Sequence, residues 1–326
     1  MLVLVTGATG FLGSRLVDEL LTANHQVRAL IRETSDTKAL NDRSIPCITG
    51  SLLRGDGLAE ALSDVDAVIH CAGGGLSPNR HTLYADNVTT TQVLVSAIRQ
   101  HRPQLKRLIV VSSVSAHGPS PNGLARADDA PSRPTSEYGR CKAKAEALVL
   151  AAAEEWPVTV VRPPAIYGPG DRRMLPLFRA AQRGWVPLPS TSKTLSLIHV
   201  DDCARALCKI LEHDTSTGQC FSVEDGTPRA MDELVQMIGG TLGRTPSILR
   251  LPGWLMRIAG SISGFFARFR KGAIMLTSDK VNDLMQPHWI CDAKRLREEM
   301  HWTPRVALRD GLLDTARWYK ERRWIR

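Results

Sequence analysis

A short apolar run at the start of the chain leads directly into a glycine-rich turn. Residues 2–5 are Leu-Val-Leu-Val, followed by Thr6-Gly7-Ala8-Thr9-Gly10-Phe11-Leu12-Gly13 and then by a stretch with the periodicity of an amphipathic helix. Glycine permits the tight turn at position 7, a close approach of a ligand at position 10, and close packing of the helix on the strand at position 13. Free amides at the start of such a helix bind the phosphates of a dinucleotide. The segment therefore predicts a strand, a phosphate-binding turn and a helix.

Four more short apolar runs continue this pattern through the first half of the chain. They lie at residues 27–31, 67–71, 108–111 and 158–161, with helical candidates between them at residues 13–23, 57–62, 87–101 and 138–155. Buried parallel strands have continuous apolar sequences, so the pattern predicts an α/β fold with a doubly wound, Rossmann-like parallel sheet.

The alternation of strands and helices ends near residue 168. Beyond it we expect helices at residues 202–212, 231–242, 254–270 and 308–320. The sequence thus predicts a nucleotide-binding domain over residues 1–168 and a smaller, mostly helical substrate lobe over residues 169–326. Segments near residues 197–205 are expected to return to the first domain.

Composition narrows the class of protein. The 326 residues are 43% hydrophobic and 23% charged, as is usual for a soluble globular protein. The seven cysteines are scattered and include no Cys-x-x-Cys pair, so neither a disulfide framework nor a metal site is expected. Apolar runs stay below the ~18 residues of a membrane span, and a secretory signal is not expected, which favours the cytoplasm. The net charge of +9 is spread along the chain, and this argues against a nucleic-acid partner.

Tyr138 and Lys142 stand four residues apart in a predicted helix and so share one of its faces. The ammonium favours the ionised phenol, which by itself ionises only near pH ~10. The run at 108–111 ends in Ser112 and Ser113, at the edge where open α/β sheets bind their ligands. These residues predict a site for proton transfer, with either serine as a candidate.

The spacing Gly-x-x-Gly-x-x-Gly resembles the short-chain dehydrogenase/reductase superfamily, and residues 6–13 resemble its extended branch, the NAD-dependent epimerase/dehydratase family. Ser113, Tyr138 and Lys142 follow in the order of that branch's catalytic residues, which favours Ser113 over Ser112. Residues 67–73, 87–91, 162–170, 198–202 and 301–304 also resemble its motifs.

The resemblance implies where a cofactor binds. Together with the basic residues after the second strand, it predicts cofactor contacts from Gly7, Thr9, Gly10, Phe11, Leu12, Gly13, Arg32, Lys38, Ser51, Leu52, His70, Cys71, Ala72, Asn87, Tyr138, Lys142, Pro163, Pro164, Ala165 and Ile166. His70 and His199 are expected to be hydrogen-bonded in structured turns, with no metal.

Two departures from the family pattern affect the choice of cofactor. Where NAD-dependent relatives carry Asp or Glu for the ribose hydroxyls, this chain has Arg32, with Lys38 six residues on. A guanidinium can bind a 2′-phosphate that a carboxylate would repel, so NADP(H) is the expected cofactor and NAD(H) the alternative. Ser51 replaces the Asp that often holds the adenine amine, and a hydroxyl can still accept one hydrogen bond.

The resemblance implies hydride transfer between a nicotinamide and a carbon that bears an alcohol or ketone. Ser113 would hold the carbonyl oxygen, Tyr138 would transfer the proton, and Lys142 would hold the ribose. His117 stands where sugar-nucleotide enzymes usually place Tyr, and the basic residues after the second strand resemble dihydroflavonol-type reductases. The apolar stretch over residues 251–270 is either the cover of a hydrophobic pocket or ordinary core.

The first expectation is therefore an NADP(H)-dependent reductase of a ketone on a hydrophobic small molecule. A 3β-hydroxysteroid-type dehydrogenase and a nucleotide-sugar epimerase or dehydratase are alternatives, and a non-catalytic dinucleotide-binding subunit or sensor is an alternative of another class. A weak contact with a membrane surface through residues 254–271 is also possible, as is a homodimer.

Overall fold

The computed structural model describes residues 1–75, 79–191, 193–213, 217–255 and 278–326. Its strands are β1 (Leu2–Thr6), β2 (Gln26–Ile31), β3 (Cys47–Thr49), β4 (Ala67–His70), β5 (Arg107–Val111), β6 (Val158–Arg162), β7 (Ala165–Tyr167), β8 (Trp185–Pro189), β9 (Thr194–Leu195), β10 (Leu197–His199), β11 (Gln219–Ser222), β12 (Arg229–Ala230), β13 (Ser247–Leu251) and β14 (His288–Trp289). Its α-helices are α1 (Phe11–Thr22), α2 (Lys38–Asn41), α3 (Leu58–Leu62), α4 (Arg80–Tyr84), α5 (Thr90–His101), α6 (Val114–His117), α7 (Glu137–Leu150), α8 (Leu175–Arg183), α9 (Val200–Leu211), α10 (Met231–Thr241), α11 (Ser278–Met285), α12 (Lys294–Met300) and α13 (Leu308–Glu321).

A seven-stranded sheet forms the centre of the protein. Its strand order is β3-β2-β1-β4-β5-β6-β11, and every neighbouring pair is parallel. The order reverses between β1 and β4, and in such sheets the ligand binds beyond the carboxyl ends of the strands at this point. The predicted Rossmann-like fold is confirmed, and β1, β2, β4, β5 and β6 each differ from their predicted bounds by one residue.

Two strands of this sheet were not expected from the sequence. β3 has three partly exposed residues, too few to form a recognisable apolar run. β11 has the mixed sequence Gln-Cys-Phe-Ser and comes from the half of the chain that was assigned to the substrate lobe. Residues 219–222 therefore return to the main sheet as well, while the boundary at residue 168 stays a prediction.

Seven of the eight predicted helices are present as α1, α3, α5, α7, α9, α10 and α13, whereas α2, α4, α6, α8, α11 and α12 were not predicted. A π-helical turn at Ala85–Thr89 precedes α5, and α7 ends at Leu150, five residues before the predicted end. The helix predicted over residues 254–270 falls on residues outside the described part, apart from 254 and 255. The second lobe also contains small sheets, β8 with β13 and β12-β9-β14, whose strands are mostly too short to show an alternating pattern.

Side chains of each central strand alternate between two apolar layers. Val3 and Val5 of β1 pack in the layer that contains α1, α9 and α12, whereas Leu4 packs in the layer that contains α3, α5 and α7. A third cluster, which includes Phe178 and Tyr319, forms the core of the second lobe. In the described residues, no helix has the length and hydrophobicity needed to cross a membrane.

A buried ion pair connects the sheet to α7. Arg162, at the end of β6, donates to Glu146 of α7 at 2.7 Å, and both side chains are nearly inaccessible to solvent. Glu146 also accepts a hydrogen bond from the Ser112 hydroxyl. Arg162 donates to the carbonyl of Asp128 at 2.7 Å, and the Asp128 carboxylate accepts from the hydroxyl of Ser222 in β11 at 2.6 Å. The network fixes the strand ends beneath the ligand-binding edge.

We expect Glu146→Ala to destabilise the fold by about 3–5 kcal/mol, because it leaves the Arg162 guanidinium buried without its carboxylate. Urea or thermal unfolding measures the loss. Glu155→Ala is the matched control, since it removes the partner of Arg99 from an exposed ion pair and should change the midpoint much less. Equal shifts for the two variants would contradict a structural role for the buried pair.

Candidate active site

The glycine-rich turn between β1 and α1 has the geometry of a phosphate-binding site. Gly7 has a φ of +75°, and a Cβ added to it would lie 2.8 Å from the backbone nitrogen of Ala72. A Cβ at Gly13 would lie 2.1 Å from the carbonyl oxygen of Gly7, so only glycine lets α1 approach the turn this closely. No side chain caps the start of α1 at Gly10. The amides of its first turn are therefore open to a phosphate.

Two adjoining cavities extend from this turn along the edge of the sheet, with volumes of about 900 and 420 Å³. Gly7, Thr9, Gly10 and Cys71 line both of them. The larger cavity is also lined by the predicted residues Phe11, Leu12, Gly13, Ser113, Tyr138, Lys142, Pro163, Pro164 and Ile166. The smaller cavity is lined by Arg32, Ser51, Leu52 and Ala72. Together their linings include residues that directly follow β1, β2, β4, β5 and β6 at the ligand-binding edge.

Four of the predicted cofactor residues line neither cavity. Lys38 is exposed at the start of α2, and Ala165 faces a third cavity instead. His70 is buried, with Nδ1 2.7 Å from the Thr6 hydroxyl and Nε2 3.3 Å from that of Thr91. Burial, together with the charge of Lys142, lowers the pKa of His70 to about 3, so its imidazole is neutral.

Asn87, the fourth of these residues, lies in the π-helical turn behind the glycines at 73 and 74. Its amide donates to the carbonyls of Gly74 and Leu83, both at 2.8 Å. Its Oδ1 is buried and accepts no hydrogen bond from the described residues. A Cβ at Gly73 would lie 2.9 Å from this oxygen and 3.2 Å from Nζ of Lys142. Asn87 therefore supports the wall of the cavity beside the lysine.

Lys142 and Ser113 are held by the ends of neighbouring elements. Lys142 is buried in the first half of α7, and its Nζ donates to the carbonyl of Val111 in β5 at 2.8 Å. Ser113 follows β5 and caps α6, with its Oγ accepting from the amide of Ser115 at 3.1 Å. Tyr138 is the second residue of α7, whose N-cap Ser136 accepts from Gly139 at 3.1 Å. All three candidates thus face one cavity, whereas the Ser112 hydroxyl donates to the buried Glu146.

The smaller cavity contains polar residues that the sequence analysis did not assign. The Ser35 hydroxyl accepts from the backbone amide of Arg32 at 3.1 Å, which closes a tight turn after β2. Asp86 and Thr90 line the opposite wall. Burial raises the pKa of Asp86, and the nearby Arg32 guanidinium opposes that shift. The hydroxyl three residues after Arg32 was a sequence signal that could have identified Ser35 as a cavity residue. No sequence signal identified Asp86.

A third cavity of about 290 Å³ lies between the strand ends and the second lobe. Ser113 and Tyr138 line both this cavity and the 900 Å³ cavity, so the two spaces share one wall. Its surface is largely apolar, with side chains from the N-cap and first turn of α8, from β9, β10 and α10, and from β14: Met174, Leu177, Leu195, Leu197, Leu234 and Trp289. These segments are far apart in the sequence, and the apolar stretch proposed as a pocket cover lies largely outside the described residues.

One group of possible metal ligands lies away from these cavities. His25, Cys208 and Glu212 have ligand atoms within 4.8 Å of one another, an arrangement the sequence did not suggest. The His25 ring already contacts Glu212 at 3.3 Å, and burial raises the pKa of the Cys208 thiol to about 12.

Comparisons with known proteins agree with this geometry. A family model described as the NAD dependent epimerase/dehydratase family matches residues 3–223. The chain is 28% identical over 324 residues to a ceramide reductase of Caulobacter vibrioides, covering 99% of this chain and 96% of the relative. It is 29% identical over 327 residues to a 2-alkyl-3-oxoalkanoate reductase of Stenotrophomonas maltophilia, covering 96% and 97%.

The fold is also similar to that of a solved enzyme. The structure of dTDP-glucose 4,6-dehydratase from Bacillus anthracis in complex with NAD superposes with a TM-score of 0.78 at 21% identity, covering 99% of this chain and 98% of that one. The family match covers more than half of the chain. It includes the glycine turn, the three catalytic candidates and β11, the edge strand of the main sheet. The chain belongs to the NAD-dependent epimerase/dehydratase family of extended short-chain dehydrogenases/reductases, and it is an oxidoreductase that acts on CH–OH and C=O groups with a nicotinamide dinucleotide.

Proposed function

We propose that the protein is an NADP(H)-dependent reductase of a ketone on a hydrophobic small molecule, or catalyses the reverse oxidation of the matching secondary alcohol. One observation carries this proposal. Ser113 and Tyr138 line both the dinucleotide cavity and the apolar cavity. A substrate carbonyl group held by these two side chains would therefore lie where the two cavities adjoin. When bound, the nicotinamide supplies the hydride for reduction or accepts it for oxidation.

Each of the three side chains has a separate task. The Ser113 hydroxyl orients the carbonyl oxygen, and the Tyr138 hydroxyl gives that oxygen its proton as the carbon is reduced. Lys142 is held in the cavity by its bond to the carbonyl of Val111, and its ammonium stabilises the phenolate that remains. The same charge acts on His70, which stays neutral and does not compete for the proton.

The preference for NADP(H) rests on Arg32. This exposed side chain lines the smaller cavity, next to the turn that Ser35 closes. A guanidinium and a hydroxyl are suitable partners for a 2′-phosphate. Asp86 in the same cavity can accept the adenine amine, a contact for which Ser51 offers a single hydroxyl.

The hydrophobic substrate rests on the apolar cavity and on the names of the two relatives. Both relatives are named as reductases, and each name specifies a lipid-like substrate. The lining of this cavity is largely apolar, which suits a hydrocarbon better than the hydroxyl groups of a nucleotide sugar. A panel of ketones and secondary alcohols, followed by NADPH absorbance, tests the proposal, and a chain that turned over none of them would contradict it.

We expect Tyr138→Phe to lower kcat by about 10²–10⁴-fold, because the general acid is lost, and to leave the NADPH dissociation constant nearly unchanged. Stopped-flow turnover and fluorescence titration give the two values. A variant that kept more than about a tenth of the wild-type kcat would show that Tyr138 is not the proton donor. A wild-type protein that bound NADPH but turned over no substrate would favour the non-catalytic alternative.

We expect Arg32→Ala to weaken NADPH binding about tenfold or more, because a charged contact with the 2′-phosphate contributes about 1.5–3 kcal/mol. Binding of NADH should barely change. Titration of both cofactors against the same variant makes the comparison internally controlled. Equal losses for NADPH and NADH would show that Arg32 does not recognise the 2′-phosphate.

A further inference from the structure

Arg173 places a guanidinium at the junction of the dinucleotide cavity and the apolar cavity. Its side chain lines both spaces. A Cβ built at Gly75 would lie 2.6 Å from Nη2 of Arg173 and 3.7 Å from Cε2 of Tyr138, so these two atoms are at most about 6.3 Å apart. The cation therefore stands beside the ring that carries the catalytic hydroxyl.

Among the described residues this guanidinium forms no ion pair, and its charge acts on Asp171 only by opposing the rise that burial causes in the pKa of that carboxyl. Asp171, the nearest acidic residue in sequence, uses its two oxygens to accept the backbone amides of Arg173 and Met174, at 2.8 and 2.9 Å. These bonds fix the backbone of the turn and leave the Arg173 side chain to the cavity. The neighbouring Arg172 lines the dinucleotide cavity but not the apolar cavity, and its guanidinium lies over the ring of Trp324 at 5.1 Å.

The other charges in the apolar cavity balance one another. Lys193 and Asp283 both line it, and Nζ of Lys193 lies 3.5 Å from the carbonyl oxygen of Asp283. The Asp283 carboxylate accepts from the Thr135 hydroxyl at 2.9 Å. Because the charges of Lys193 and Asp283 cancel, Arg173 gives the described lining of the apolar cavity a net charge of +1. This charge lies beside Tyr138.

We propose that the substrate carries a carboxylate close to its reacting carbon, that Arg173 binds this carboxylate, and that the hydrocarbon chain lies in the apolar cavity. The inference deepens the proposed function and rests on it: the substrate class is an oxo acid, and the product is the matching hydroxy acid. A guanidinium binds a carboxylate through two parallel hydrogen bonds, which would also fix the face of the ketone presented to the nicotinamide.

The reaction balances for this class. In the oxidative direction the alcohol carbon would lose a hydride, which a bound nicotinamide would accept, and its hydroxyl proton would pass by way of the Tyr138 oxygen to solvent. One NADP⁺ is reduced, one ketone forms and one proton is released. The carboxylate is unchanged in both directions, so Arg173 acts by binding and orientation, and its removal should appear mainly in KM.

The test compares 3-hydroxyoctanoate with its methyl ester, which has the same chain and reacting carbon but no charge. With NADP⁺, the wild type should oxidise the acid with a kcat/KM about tenfold or more above that of the ester. Arg173→Gln should remove this preference by raising KM for the acid about tenfold or more, with much smaller changes in KM for the ester and in the NADPH dissociation constant. Calorimetric binding of the acid, measured without turnover, should weaken by the same factor.

Two further variants separate the site from general charge effects. Arg172→Gln removes the adjacent positive charge and should keep the ratio of acid to ester. Gly75→Ala keeps Arg173 but places a methyl group 2.6 Å from its Nη2, so it should displace the guanidinium and lower the ratio.

The outcomes distinguish the inference from the function beneath it. The inference would be overturned if the wild type oxidised the ester with the same kcat/KM as the acid. It would also be overturned if Arg173→Gln weakened NADPH binding. In the second case Arg173 would belong to the cofactor site. Turnover of neutral ketones without any preference for acids would leave the proposed function standing alone. Failure on every ketone and alcohol in the panel would contradict the proposed function itself.

Discussion

The contact between α1 and the carbonyl of Gly7 is the constraint on which the site depends. Any side chain at Gly13 would collide with that oxygen, since its Cβ would lie only 2.1 Å away. The helix can therefore pack on the end of β1 and direct its open amides towards the edge where β4, β5 and β6 also end. The serine, the tyrosine and the lysine reach the same edge from β5 and α7. One steric requirement thus places the open amides of α1 at the same sheet edge as the three residues proposed for proton transfer.

Burial controls the charge of the cavity behind this edge. The pKa of His70 falls to about 3, and burial raises the pKa of the Cys71 thiol to about 12 against the opposing charge of Lys142. Both side chains are therefore neutral near pH 7, and the positive charge remains with Lys142 and the arginines at the cavity mouth. This arrangement suits an anionic dinucleotide.

Local spacing was enough to predict much of this site. The glycine turn, Tyr138 and Lys142 were predicted from short motifs on a predicted strand or helix, and Ser113 was preferred over Ser112 from the family resemblance. The structure brings all of them to one cavity. Asp86, Arg173 and the apolar cavity could not be predicted, because they depend on which distant segments meet. β3 and β11 were missed for a related reason, since a short or mixed strand is recognisable only from the neighbour with which it pairs.

The position of β11 has a consequence for how substrate selectivity can diverge on this fold. Its residues 219–222 complete the main sheet next to β6 and are fastened there through Ser222 and Asp128. The chain thus leaves the sheet, forms part of the second lobe, and returns before forming the rest. The second lobe is consequently a set of insertions anchored at several points, and not a domain on one hinge. Substrate selectivity can diverge by lengthening or replacing these insertions while the sheet and the phosphate-binding turn stay intact.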